Sequence, residues 1–151
     1  MTLRNTRAIM LRNLLRAGDR RRISRLLDKL HLADLSLLVT DLQELELRRA
    51  AAVLFDDVRV SKSVAGLSGS ATERLIEAAK EADAGRALTH LGSHHAAQLL
   101  VRSPEDRRTA ILSRLGQPVR GEILRALPRG SRPKSEDLDL SATFRLRRIF
   151  I

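Results

Sequence analysis

An all-α architecture, a solenoid of short helices, is what this sequence predicts, and three observations predict it. Apolar residues recur at three- and four-residue spacing along most of the chain. Leu, Arg, Ala and Glu, which lose little on entering a helix, are abundant. Gly, Pro, Ser and Asp cut the periodic runs at short intervals, ending one helix and capping the next. Strand-like alternation over more than four residues is hard to find before residue 140. The expected inventory is eight to ten helices of about 8–14 residues, joined by turns of two to four.

Each element follows in chain order. Leu11, Leu14 and Leu15 form the inner face of the first helix, and Gly18-Asp19 ends it and caps the second. Leu26, Leu27 and Leu30 carry the second. Ala33-Asp34 starts a short third helix with Leu35, Leu38, Val39 and Leu42. The apolar stretch from Ala50 to Phe55 is followed by Asp56-Asp57. Ser68-Gly69-Ser70 precedes Leu75, Ile76 and Ala79, and Ser70 with Glu73 reads as an S-x-x-E capping box. Gly92-Ser93 opens the helix of Leu99, Leu100 and Val101, with Ser93 as its cap. Ser103-Pro104-Glu105-Asp106 reads as Ser at the cap, Pro at the first helical position and acids in the first turn. Ile111, Leu112 and Leu115 follow. Gly116-Gln117-Pro118 then separates them from Ile123, Leu124 and Leu127. Pro128 to Asp137 is a polar, Pro-punctuated linker. The closing SATFRLRRIFI is basic and apolar, and fits an ordered strand, an interfacial segment or a disordered tail alike.

The helices are not independent. HLADLSLLVTDL and LGSHHAAQLLVRS look like one unit used twice: a short loop, a helix with Leu pairs, then a second helix with an Ala/Arg/Leu face. Degenerate helix pairs of this kind bury their apolar faces only against their neighbours.

Composition bounds the function. The 151 residues amount to about one domain. The 43% hydrophobic and 30% charged content is globular rather than disordered. Aromatics are Phe55, Phe144 and Phe150 alone, so aliphatic side chains must fill the core. The absence of cysteine removes disulfides and thiolate chemistry and fits a reducing compartment, so a cytoplasmic location is expected. No apolar run approaches the roughly 18 residues of a membrane-spanning helix. The net charge of +10 is unevenly placed. Residues 1–22 hold seven Arg against one Asp; 23–127 hold fifteen Lys or Arg against fourteen acids; 128–151 hold six against three. The surplus therefore sits in two arms around a nearly neutral body, which weakens a nucleic-acid reading.

Leu15-Arg16-Ala17-Gly18-Asp19, followed by Leu26 to Leu35 with its His31-x-x-Asp34-Leu35 phrase, resembles the opening of the intracellular N-terminal domain of MgtE-type magnesium transporters. SPEDRRTAILSRL, residues 103–115, is similar to that family's repeating phrase of Pro, acids, Arg and spaced Leu. The resemblance covers roughly residues 12–127. It implies a right-handed superhelix, similar in fold to the middle domain of the flagellar-motor protein FliG. It also implies a magnesium-responsive regulatory role, in which Mg²⁺ bridges acids of this domain and of cystathionine-β-synthase-type partner domains. Two departures from the family pattern follow, the second of which stands against ion sensing. Position 32 is Leu where the family usually has Pro. The family's bridging acids align with Ser63, His94 and Gln98, none of which supplies the carboxylate oxygens a hard cation needs.

Other candidate sites have a functional and a plainer reading. His94-His95, with His90 a turn earlier, offers imidazoles for Zn²⁺ or Ni²⁺, yet no Cys or neighbouring acid completes a four-ligand set, and a loop with a helix start explains them as well. Asp56-Asp57 is either a cation pair or a cap for the next helix. Arg20-Arg21-Arg22 with Arg4, Arg7, Arg12 and Arg16 forms a basic face for nucleic acid or anionic lipid, or simply the solvated side of a packed helix. Glu105 and Asp106 beside Arg107 and Arg108 read as surface pairs. No nucleophile elbow, P-loop or dinucleotide turn is present, so no catalytic residue, cofactor or enzymatic activity is expected.

These readings divide the chain into a basic N-terminal helix over 1–22, an MgtE-N-like repeat domain over 12–127 and a linker with tail over 128–151. The expected function is a non-enzymatic regulatory or protein-interaction module without pore or partner domains. Arg20, Arg21, Arg22, His94 and His95 are its expected surface. The alternatives are a basic-armed nucleic-acid binder and a FliG-like scaffold or peripheral membrane protein touching lipid through its tail.

Overall fold

A computed structural model describes residues 3–134 and Leu138. Among these residues there are ten α-helices and no strand: α1 (Leu3–Ala17), α2 (Arg20–Lys29), α3 (Leu32–Val39), α4 (Glu44–Leu54), α5 (Val60–Gly66), α6 (Gly69–Ala78), α7 (Glu81–Thr89), α8 (Ser93–Val101), α9 (Glu105–Ser113) and α10 (Val119–Ala126). A single 3-10 turn, Arg129–Ser131, opens the expected linker. The tail SATFRLRRIFI lies outside the described residues. No helix among the described residues is long and apolar enough to cross a membrane.

The chain divides into two compact units, residues 1–90 and 91–151. In the first, α1 packs on α2 and α4; α4 also meets α2, α6 and α7; α3 meets α5 and α6; and α7 meets α5 and α6. Each of these helices thus rests on helices near it in the chain. Leu11, Leu15, Ile23, Leu35, Phe55, Leu75 and Leu88 are essentially closed to solvent and form its core. In the second unit α8 packs on α10, and Leu100, Ile111, Leu112, Ile123 and Leu127 are buried.

A polar register accompanies the apolar one in the first unit. Arg12 reaches Glu46, Arg20 reaches Ala52 O, Arg49 reaches Leu15 O, and Arg59 reaches Asp28, across 34, 32, 34 and 31 residues. Ser68 N donates to Ser36 Oγ, Arg74 to Leu42 O, Arg48 to Ala78 O and Arg86 to Phe55 O, across 32, 32, 30 and 31 residues. These long-range bonds thus join residues 30 to 34 positions apart.

Several helix boundaries differ from the expectation. Gly18 takes a φ of +75°, which a side chain would strain, and Asp19 caps α2 by accepting from Arg22 N at 3.3 Å, as expected. Arg20–Arg22 therefore belong to α2, not to the first helix. The cap of α6 is Ser68, whose Oγ accepts from Ala71 N at 3.2 Å; Ser70, the expected cap, already lies in the first turn. Gly92 rather than Ser93 precedes α8, and Pro104 rather than Ser103 precedes α9. Ser103 instead turns back to Leu99 O at 3.5 Å, while Glu105 and Asp106 occupy the first turn of α9 as expected.

Candidate interaction surface

The α1–α2 hairpin places the N-terminal arginines. Burying Leu11, Leu15, Ile23, Leu26 and Leu27 fixes which sides of the two helices face outward. Those sides do not form one continuous basic face. Glu46 on α4 is only 3% exposed. Its Oε2 lies 3.3 Å from Arg12 Nε and 3.6 Å from Arg16 Nε, so these two cations are tied to a buried carboxylate. Glu46 Oε1 accepts from Gln43 N at 3.0 Å, closing the start of α4. Burial pushes the Glu46 carboxyl up, but the Gln43 amide and the Arg12 and Arg16 guanidiniums outweigh it and hold the group below the usual carboxylate range.

Of the expected surface residues, Arg20 donates to Ala52 O at 3.4 Å, and Arg22 leans on Asp19 with Nε 3.4 Å from Oδ2. Arg21 is exposed. A shallow groove of about 370 Å³ lies beside them, lined by Met10, Asn13, Leu14, Arg22, Arg25, Leu26 and Lys29. Its floor is apolar, and Met10 remains 48% exposed there. Arg22, Arg25 and Lys29 stand at helical spacing along one side of α2, and among the described residues Arg25 and Lys29 make no ion pair. The sequence singled out Arg22 but not Arg25, Lys29 or the groove: Met10 carries no signal until its neighbours turn inward.

The three positions aligned with the family's bridging acids separate between the two units. Ser63 sits on α5 in the first, buried at 3% exposure beside Arg59 and Lys62. His94 and Gln98 sit one turn apart on α8 in the second, their Nε2 atoms 3.4 Å apart. They line a cavity of about 450 Å³ with Ala97, Val101, Arg102, Ala126 and Pro128. His95 is half-buried on the same helix, and His90 is the C-cap of α7. Among the described residues no three or more His, Asp or Glu gather as metal ligands would. Asp56 closes the turn before α5 rather than capping the helix, whose N-cap is Arg59; its Oδ1 accepts from Val58 N at 3.1 Å and Arg59 N at 2.8 Å, and Asp57 is exposed.

Arginine has a second use that the sequence did not reveal. Arg49 Nη1 donates to Leu15 O and Arg16 O at 2.7 and 2.6 Å, closing the end of α1. Arg86 does the same for α4 at Phe55 O, 2.7 Å. Arg120 donates to Leu115 O at 2.9 Å and Arg132 to Leu127 O at 3.0 Å, after α9 and α10. Arg108, expected as a surface ion-pair partner, donates instead to Leu100 O and Ser103 O at 2.9 and 3.0 Å. The last carbonyls of a helix have no partner within it and carry partial negative charge, which a guanidinium fork satisfies.

No family model, curated protein or solved structure matches this chain.

Proposed function

We propose that this protein is a helical-repeat docking module that works by protein–protein contact, through the groove between α1 and α2. The carrying observation is the groove itself: Met10, Leu14 and Leu26 make an apolar floor, and Arg22, Arg25 and Lys29 make a cationic rim. That combination suits an amphipathic helix with acidic flanks, whose apolar side fills the floor while its carboxylates meet the rim. The spacing of 30 to 34 residues between hydrogen-bonded side chains and their partners supports a superhelical arrangement within residues 1–90, as the MgtE resemblance implies.

Fluorescence anisotropy with a labelled amphipathic peptide, Leu at helical spacing and Glu between, tests this reading. Binding should weaken by about tenfold or more in Met10→Asp, since a buried apolar anchor dominates such contacts. A labelled DNA duplex is the competing arm. Duplex binding with a steep salt slope, unchanged by Met10→Asp, would transfer the function to nucleic acid. The regulatory role implied by the resemblance belongs to this reading as contact with a cytosolic regulatory partner. A Mg²⁺ titration followed by thermal unfolding separates the two roles. Ion sensing gives a saturable rise in midpoint by mass action, and docking alone gives none.

A further inference from the structure

A cavity of about 420 Å³ lies where the end of α2 and the start of α3 approach α4 and α5. Leu27, Leu30 and Leu54 contribute apolar wall, while Lys29, His31, Arg59 and Lys62 give it four basic side chains against one carboxylate, Asp28. Asp28 is already engaged, both of its oxygens lying 3.1 Å from Arg59 Nη2. Arg59 is further held by Asp56, with Nη1 3.1 Å from Oδ2. Arg59 and the two aspartates therefore satisfy one another. Lys29 and Lys62 remain, with no ion pair among the described residues, and His31 stands exposed beside them.

Ser63 supplies the second observation. It lines the cavity at 3% exposure, and its hydroxyl makes no hydrogen bond among the described residues. No fully enclosed side-chain oxygen or nitrogen lacks a partner among those residues, so the unpartnered Ser63 hydroxyl keeps some accessible surface, and Ser63 lines this cavity. An unpartnered hydroxyl donor in a cavity that two lysines also line is a recognition element for an anion and a poor one for a cation.

We propose that this cavity binds a small oxyanion of the phosphate class, with Ser63 Oγ donating from below and Lys29 and Lys62 from the rim. The apolar wall gives an organic phosphate a further contact that inorganic phosphate lacks. The site is independent of the α1–α2 groove except for Lys29, so Lys62 and Ser63 are the residues to change.

The test is an NMR titration of the full chain at constant ionic strength. Inorganic phosphate and phenyl phosphate form two arms, and sodium chloride is the control. The expected result is saturable movement of the His31 ring and Ser63 amide signals with both phosphates, tighter with phenyl phosphate if the ligand is an organic ester and equal if it is the free ion. Lys62→Ala should weaken binding about tenfold, as expected for loss of a charge-assisted hydrogen bond. Ser63→Ala should also weaken it, while Arg21→Ala, outside the cavity, should not. Movement that rises linearly without saturation, appears equally with chloride, or survives Lys62→Ala and Ser63→Ala unchanged would overturn the proposal.

Discussion

Arg12, Arg16 and Glu46 show how little a residue's charge says about its availability. Two cations of the apparent N-terminal basic face converge on one buried carboxylate, at 3.3 and 3.6 Å. Removing that carboxylate should cost about 1–3 kcal/mol, because the guanidiniums and the Gln43 amide then lose a charged acceptor. The sign with pH follows from the direction of the shift. Glu46 is held below the ordinary carboxylate range when folded, so its ionised form contributes stability above the unfolded-state pKa. That contribution is lost as pH falls through the lower, folded-state pKa. Chemical denaturation of the parent and Glu46→Gln across pH should therefore show a gap that is full at neutral pH and closes in acid. A gap that is constant or widens in acid would refute the role assigned to Glu46. The Arg49, Arg86, Arg108, Arg120 and Arg132 bonds to helix-terminal carbonyls have the same lesson: their sequence neighbours do not reveal their partners.

At the scale of the element, the helices themselves were legible and their exact starts were not. Periodic Leu, Ile and Ala positions predicted helices throughout, and Gly18-Asp19 was readable because a left-handed Gly followed by an Asp cap has few alternatives. Ser68 and Ser70 both stand before an apolar run, and the S-x-x-E pattern selects Ser70. Ser68 takes the cap because its backbone amide also donates to Ser36 Oγ at 2.9 Å, a contact from α3 that local sequence does not contain. Thermal or denaturant unfolding separates the two. Ser68→Ala should lose about 1 kcal/mol, as cap removal does, while Ser70→Ala, exposed in the first turn, should stay within about 0.5 kcal/mol of the parent. Equal losses at both positions would restore the S-x-x-E assignment.

For the whole molecule, the all-helical class was legible in the periodic Leu, Ile and Ala positions, and the described residues form ten helices. The division into units 1–90 and 91–151 was not visible, because no Pro- or Gly-rich linker marks residue 90 and the helical cadence runs straight through it. The candidate surface was half legible. The arginine run at 20–22 drew attention to α2, whereas the groove depends on Met10 and Leu14 meeting Leu26 across a turn. The N-terminal arginines likewise read as one basic face, although Arg12, Arg16 and Arg20 are committed to partners in α4.

Hydrogen–deuterium exchange on the full chain, with and without the acidic amphipathic peptide, tests the docking claim most directly. The account predicts slowed exchange concentrated in amides of residues 10–29, absent in Met10→Asp. Protection elsewhere, such as in α8 around His94, with residues 10–29 unchanged, would contradict it.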